Sequence, residues 1–415
     1  MRILVVTNFY PPHHIGGYEL RCEDVVHGLR DRGHDLSVLT SKHGLRRPET
    51  TAGVHRQLHL GGLSTLPDGG LLGAATVEFL DHRTLNGMIC RLKPQLISIW
   101  NLAGLADSVL TTIQQLKIPA VYDISDDWLI KKLHKNVWRR KSKTGIRRVS
   151  KTLLRLLLKL GLPYSILQSP DDFRPHACYF TSKALKQLYL SWGFPLATAP
   201  VIYCGIALDK YISRERKDLN SQIKLLFVGQ LERQKGTHTA LQAFANLVNC
   251  RGVKGARITI VGTGRDQDYD RLLRDTVVRA NLQDRVEFLG KVPRDAMPRI
   301  YNSHDILIFP SIVEEAFSLT LLEAMASGLA VVGTATGGSK EILIDEWNSL
   351  TFRPGDTDQL TTQLERLMAS DELRQHLSQN ALKTVRPRFD ITYMVDQIEE
   401  VFKEAISESM TGLGL

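Results

Sequence analysis

The sequence predicts an α/β protein built from two doubly wound domains, and three observations carry that prediction. Short, continuous apolar runs alternate with helical stretches along the chain, as parallel sheets covered on both faces require. The alternation breaks at 194–222, "FPLATAPVIYCGIALDKYISRERKDLNSQ", and then restarts. At 415 residues the chain is also long enough for more than one core. Its composition, 43% hydrophobic and 23% charged, is that of a globular protein.

In chain order, "RILVVTNF" (2–9) is β-branched and uninterrupted, so it reads as a strand buried on both faces. A helix follows from about Tyr18 to Arg32 and stops at Gly33. "DLSVLTS" (35–41), "QLISIWN" (95–101), "PAVYDIS" (119–125) and "ACYFTS" (177–182) are further strands, with helical stretches between them. After the break come "IKLLFVGQ" (223–230), "ARITIVGTG" (256–264), "RVEFLG" (285–290), "DILIFPS" (305–311) and "LAVVGT" (329–334). An amphipathic helix over about 390–408 ends the pattern. The expected domains are 1–205, 206–388, and a segment 389–415 returning to the first. Open sheets of this kind bind ligands outside the carboxyl ends of their strands, so the loops there, lining a cleft between two facing domains, should carry function.

Several classes are excluded. No apolar run reaches the roughly 20 residues of a membrane-spanning helix, and "MRILVVTNFY" reads as a strand, not as a signal peptide. Cys22, Cys90, Cys178, Cys204 and Cys250 show neither metal spacing nor a CxxC pair. They are expected to be small core residues in a reducing, cytoplasmic setting. Nothing repeats with a solenoid period.

Four loops concentrate the candidate chemistry. In "PSIVEEAFSLTLLEAMASG", Ser318 is placed to cap a helix and Gly328 to end it. The N–H groups of Ala316, Phe317, Ser318 and Leu319 would then face an anion at a helix N-terminus. Glu315 stands just before that helix and Glu323 within it. Helical rise over the eight residues separates them by about 12 Å. A retaining glycosidase pair must lie ~5 Å apart, so these two hold different parts of one elongated ligand. In "VGQLERQKGTHTALQAF", Lys235 precedes Gly236, where backbone can come close and a lysine can meet phosphate. "YPPHHIGGYE" sets Gly16 and Gly17 before the first helix, and "TATGGSKE" sets Gly337 and Gly338 before another. "VGTGRDQD" has Gln267 where a dinucleotide fingerprint needs its third glycine. Together the loops ask for a phosphate-bearing ligand.

The motifs from Phe227 to about Asn380 resemble the retaining glycosyltransferases of family 4, which have the two-domain GT-B fold: "LLFVGQLERQKGTHTALQAF", "ITIVGTGRD", "RVEFLGKVPRDAMPRIYNSHDILIFPS", "EEAFSLTLLEAMASGLAVVGTATGGSKEIL" and "NSLTFRPGD". A thinner match covers "ILVVTNFYPPHHIGGYE" and "VIYCGIALDKY". The resemblance implies transfer of a sugar from a nucleoside-diphosphate sugar to a glycan or lipid-linked acceptor, without cofactor or metal. It places Glu315 beside the sugar, Glu323 on the ribose, and Lys235 on the diphosphate leaving group, with Glu314 a bystander. The amides of Ala316, Phe317, Ser318 and Leu319 would take sugar hydroxyls and the distal phosphate. Val292 falls in the base-recognition loop; Gly16 and Gly17 fall in the loop that closes on the donor.

Three departures stand out. The family commonly has glycine at Ala316 and Ser318, and negative φ is expected at both, where their N–H groups still point correctly. It often has arginine at Gln230, a role Arg233 or Arg265 would have to share. Where many relatives place a first-domain histidine near the reacting carbon, this chain offers Ser98, Trp100 and Ser125; Ser98, Ser125 and Asp126 are the acceptor-side candidates, and the loop residues His13 and His14 are the alternative entrants to the site. Asp123, Asp126 and Asp127 are read as acceptor contacts or helix caps, not metal ligands. Two other readings share the fold, a nucleotide-sugar 2-epimerase and a catalytically silent nucleotide-sugar-binding protein.

The net charge of +9 is concentrated in part in "KKLHKNVWRRKSKTGIRRVSKTLLRLLLKLGLP" (131–163), which contains no acid. Lys151, Arg155 and Lys159 fall on one helix face, where like charges repel. An anionic membrane surface relieves that repulsion, so peripheral attachment to the inner face of a membrane is expected. No aromatic-interleaved surface accompanies the charge, which argues against nucleic acid.

Overall fold

The computed structural model describes residues 1–61, 70–133, 173, 175–211 and 222–412. The chain divides into two compact units, 1–202 with 395–415, and 203–394. Residues 134–163 of the basic stretch, and the helix face read there, lie outside the described residues.

The first unit is built on a seven-stranded sheet. Its strands are β1 (Arg2–Val6), β2 (Asp35–Ser41), β3 (Glu49–Thr51), β4 (Val54–Leu58), β5 (Leu96–Ile99), β6 (Ala120–Ile124) and β7 (Ala177–Phe180), in the order β3-β4-β2-β1-β5-β6-β7. All neighbours are parallel except β3 and β4. Helices α1 (Gly17–Asp31), α2 (Gly70–Leu92), α3 (Asp107–Gln115) and α4 (Lys183–Ser191) follow β1, β4, β5 and β7. The strand order reverses between β1 and β5, which makes the loops after these two strands the switch point of the sheet.

The second unit has β8 (Ile223–Val228), β9 (Ala256–Val261), β10 (Val286–Gly290), β11 (Ile306–Phe309), β12 (Ala330–Gly333) and β13 (Leu350–Thr351), in the order β10-β9-β8-β11-β12-β13. All pairs are parallel. Its helices are α5 (Thr237–Asn249), α6 (Gln267–Arg279), α7 (Met297–Asn302), α8 (Leu319–Ala326), α9 (Thr357–Ala369) and α10 (Asp371–Val385). Alternate strand residues feed two separate cores. Leu225, Phe227, Ile258, Ile260, Ile306 and Ile308 join one, while Leu226, Val261, Leu307, Phe309 and Val331 join the other. That is why these strands read as unbroken apolar runs. Here the order reverses between β8 and β11.

Every strand read from the sequence is present, and three more were not anticipated: β3, β4 and β13. β3 and β4 form a hairpin whose turn is Ala52-Gly53, with φ of 48° and 77°. Alanine is an unusual residue for such a turn. β4, "VHRQL", buries His55 and Arg56, so its polar letters hide a covered strand. Arg56 is turned to structural use, donating to the carbonyls of Tyr10 and Pro11 in the loop after β1. The cysteine expectation needs correction: Cys22, Cys178 and Cys204 are buried, but Cys90 and Cys250 are exposed, on the outer face of α2 and just past the end of α5.

The last helix, α11, spans Ile391–Thr411. Near its start the chain runs beside its own entry into the second unit: Ile206 N–H donates to Phe389 O and Ile391 N–H to Ile206 O. From 395 onward the helix belongs to the first unit. Val395 contacts the α1 backbone at Gly28, while Ile398, Phe402 and Ala405 are buried at helical spacing. Arg32 reaches Asp396 at 2.6 Å and Glu399 at 2.9 Å, and His34 reaches Glu399 at 3.1 Å.

The Lys403 ammonium, then His34 and Arg32, hold the Glu399 carboxyl down from its ordinary 4.5 to about 2. A depressed carboxylate contributes stability fully above its unfolded pKa and loses it as pH falls through the folded value. Hydrogen exchange in 395–411 is therefore expected to accelerate as pH drops from about 4.5 towards 2, after correction for intrinsic exchange. Glu399→Gln should show the faster opening already at neutral pH and no acid step of this origin.

Candidate functional site

In the second unit the switch point brings together the loops after β8 and β11. The first turns through a short 3-10 segment, Arg233–Lys235, and closes on Gly236 at φ 71°. A Cβ on Gly236 would lie 2.0 Å from the carbonyl oxygen of Pro310. Ile312 N–H donates to Gln234 O at 2.8 Å, so the two loops are joined backbone to backbone. This close approach delivers Lys235 Nζ to Glu315 Oε1 at 2.7 Å. Ser311, 1% exposed, donates to the same oxygen at 2.5 Å.

A third loop, after β12, fixes Glu315 from its backbone side. Gly338 N–H donates to Glu315 O at 2.6 Å, and Thr336 Oγ1 donates to Val313 O at 2.7 Å. Gly337 has φ 50°, and a Cβ there would sit 2.3 Å from Glu315 O. The glycine pair of "TATGG" therefore serves as a seat for the Glu315 backbone. Similarly, Gly262 and Gly264 of "VGTGRDQD" lie against the carbonyls of Gly229 and Leu231, a packing reason for glycines that do not form a dinucleotide fingerprint.

Ser318 (φ −110°) caps α8, its Oγ accepting Leu321 N–H at 3.3 Å. The helix ends in a Schellman turn: Gly328 has φ 77°, and Leu329 N–H donates to Ala324 O at 3.1 Å. Neither Ala316 nor Ser318 has positive φ. Among the described residues, the N–H groups of Ala316, Phe317, Ser318 and Leu319 donate no hydrogen bond. They are thus the orphan donors of a helix front, whose partial positive charge favours an anion. The sequence-based axial spacing needs correction: α8 starts only at Leu319, so helical rise applies from there and not over all eight residues.

Glu323 is half-buried and holds a tyrosine hydroxyl on each oxygen, Tyr211 at 3.0 Å and Tyr301 at 2.8 Å. Phe317 stacks against Tyr203 and Phe389, with ring centroids 5.3 and 5.6 Å away. Val292, Phe317 and Leu319 flank one core. Gln230 is half-buried where β8 runs out into its loop. Glu314 is exposed, 3.9 Å from Lys340. Arg233 lies over the Tyr269 ring at 5.0 Å. Sequence reasoning missed Ser311, Tyr211 and Tyr301; only the 3.6-residue register of α7 and α8 and their pairing in space link the last of these to Glu323.

In the first unit, the switch-point loops after β1 and β5 bring Asn8 and Asn101 together: Asn8 Nδ2 donates to Asn101 Oδ1 at 3.3 Å. Asn101 Nδ2 donates to Asp126 Oδ2 at 2.9 Å, and Trp128 N–H to Asp126 Oδ1 at 2.8 Å. Burial pushes the Asp126 carboxyl up to about 6. Ser125 and Asp123 join a buried charge network. Arg21 meets Asp123 at 2.5 Å, both at most 2% exposed, and donates to Ser125 Oγ at 3.0 Å. Trp100 and Tyr179 rings lie 5.1 and 6.0 Å from the guanidinium. Asp127 pairs with Lys131 at 2.7 Å on the surface. Ser98 is corrected by this geometry: it is 2% exposed and accepts Trp100 Nε1–H at 3.1 Å, which puts it in the packing of the sheet and not on an acceptor-side surface. Gly16 precedes α1 and donates its N–H to Glu19 at 3.0 Å; Gly17 is the first residue of the helix. His14 contacts Pro12 O at 3.2 Å, and burial followed by Arg56 lowers the His13 pKa.

Gly236→Ala should lower stability by about 2 kcal/mol or more, because a left-handed backbone and a blocked Cβ act together. For a unit of this size that is a fall in Tm of about 4–8 °C. Gly255 has the same sign of φ but open space around its Cβ position, so Gly255→Ala should cost only about 1 kcal/mol. Thermal unfolding of the two variants measures the part due to loop contact.

Residues 209–384 match the family model described as Glycosyl transferases group 1. An uncharacterized glycosyltransferase of Methanocaldococcus jannaschii is 25% identical over 98% of this chain and 99% of its own. The N-acetyl-alpha-D-glucosaminyl L-malate synthase of Bacillus anthracis is 28% identical over 45% of this chain and 47% of its own. Among solved structures, a sucrose-phosphate synthase from Thermosynechococcus elongatus superposes with a TM-score of 0.73 at 19% identity, covering 98% of this chain and 99% of that one. Anabaena HepE in complex with UDP-glucose gives 0.69 at 20% identity, covering 97% and 100%. Residues 209–384, which carry Lys235, Glu315 and Glu323, thus resemble the glycosyl transferases group 1, and the two Rossmann-like units have the GT-B fold.

Proposed function

We propose that the protein is a retaining glycosyltransferase of family 4 type, moving a sugar from a nucleoside-diphosphate sugar to a glycan or lipid-linked acceptor in cell-surface polysaccharide or glycolipid assembly. The observation that carries this reading is the Lys235–Glu315 pair, 2.7 Å apart, in front of α8. A lysine, a carboxylate and orphan helix amides meet at a sheet's switch point, where a phosphate-linked sugar presents complementary groups. HepE was solved with UDP-glucose, in a fold that this chain shares.

In this reading the diphosphate lies on the amides of Ala316 to Leu319, with Lys235 neutralising the charge that grows as the glycosidic bond breaks. Glu315 accepts from the sugar hydroxyls, oriented by Ser311 and by its ion pair. Glu323 accepts from the ribose, and the loop at Val292 faces the base. The acceptor hydroxyl attacks from the face the leaving group departs, and the diphosphate oxygen takes its proton. Asp126 and Ser125 are acceptor-side polar groups of the first unit. The segment 131–163 is proposed to bind an anionic membrane surface on the cytoplasmic side.

Lys235→Ala should reduce turnover by about 10²-fold or more, as loss of a preorganised charge partner does. Glu315→Ala should lose turnover while keeping nucleotide affinity, and NMR of the wild-type product should show the donor's anomeric configuration retained. Undiminished transfer by Glu315→Ala sinks the assignment, and isomerised donor formed without acceptor would mark an epimerase instead. Flotation with anionic liposomes at low salt tests the basic segment: neutralising Lys151, Arg155 and Lys159 should abolish association, and no association of the wild type removes the membrane proposal.

A further inference from the structure

We propose that Tyr211 and Tyr301 are positioning residues that set the plane of the Glu323 carboxylate, and through it make the site selective for the vicinal diol of a ribonucleoside over a deoxyribonucleoside. The proposal rests on the donor-site reading and deepens it.

The two hydroxyls come from separate parts of the second unit. Tyr211 follows the short turn Leu208–Lys210, and Tyr301 sits on α7. Each donates to a different oxygen, at 3.0 and 2.8 Å. The rings are 5% and 0% exposed and meet edge to face at 6.1 Å, so neither phenol can swing away. A free glutamate has three rotatable bonds and spreads its carboxylate over many orientations. Two donors, one per oxygen, remove that spread before any ligand arrives. A carboxylate recognising two adjacent hydroxyls needs a fixed plane, since both hydrogen bonds must form together. Both phenols act as donors, which keeps Glu323 an acceptor. Burial, followed by the Glu323 charge, pushes the Tyr301 phenol well up, so it stays protonated and donating. A glutamate buried only to pack would need its charge offset and nothing more; here the residue as a whole is half-buried.

The contact to ribose is made equally in the ground and transition states, so its loss raises donor KM and leaves kcat nearly unchanged. The test uses the full chain with uridine, adenosine and guanosine diphosphates, titrated calorimetrically, and the tightest of these with its 2′-deoxy and 3′-deoxy counterparts. Tyr211→Phe and Tyr301→Phe should each weaken the ribonucleotide by about fivefold or more, as lost preorganisation does. Deoxynucleotide affinity should move less than about twofold, because the group being positioned has no partner there. The double variant should approach Glu323→Gln. Equal weakening of ribo- and deoxynucleotides would make the tyrosines merely structural and overturn the proposal. So would unchanged affinity in both variants while Glu323→Gln loses the preference. If Glu323→Gln itself leaves the ribose preference intact, the donor-site reading of Glu323 fails, and the proposal falls with it.

Discussion

The candidate site depends on how closely two loops can approach. Lys235 and Glu315 are 80 residues apart and meet at 2.7 Å because the chain at Gly236 rests on the Pro310 carbonyl. A Cβ at that position would sit 2.0 Å from this oxygen, so any side chain there forces the two loops apart. The same device recurs beneath Glu315, where Gly337 contacts its backbone, and between the loops after β8 and β9. Loop backbone stacked on loop backbone makes a rigid platform from segments with no regular structure. A site assembled in this way needs little reorganisation when a charged ligand arrives.

Both sheets reverse their strand order once, and in both the polar residues gather at that point. In the second unit the gathering is charged and open, with Lys235, Glu315 and the amide front of α8. In the first it is largely internal: Asn8, Asn101 and Asp126 are joined by hydrogen bonds, and Arg21 is enclosed with Asp123. A buried ion pair of this kind adds little net stability, yet removing one partner costs about 3–5 kcal/mol by stranding the other. Such a pair fixes the relation of α1 to the end of β6 more than it strengthens the fold. Trp100, Tyr179 and Ser125 around it supply the polarisable and hydrogen-bonding surroundings that make the burial tolerable.

Glu323 illustrates how an electrostatic assignment acquires geometry. Its position in the helix says only that it follows the amide front of α8. The two tyrosine hydroxyls say how it is held, and they come from a turn near the unit's entry and from α7. Glu315 is held through one oxygen instead, which accepts from both Ser311 and Lys235.

The sequence by itself determined the two alternating α/β units, nearly every strand, the cap and stop of α8, and the candidate carboxylates and lysine. Each of these is a local property: apolar periodicity, a serine before a helix, a glycine after it. It did not disclose the β3–β4 hairpin, because Ala52-Gly53 is not a turn signature and His55 and Arg56 disguise a covered strand. It misplaced Ser98, whose hydroxyl is taken up by Trp100 two residues on, and it put Cys90 and Cys250 in the core, where periodicity alone cannot tell a covered helix face from an open one. Tertiary structure alone decided the partners, since Lys235 to Glu315, the two tyrosines to Glu323, and Asn8 to Asn101 follow from strand order and loop stacking. Those contacts join residues through space across gaps of up to 112 positions, where no local pattern carries information about who will meet whom.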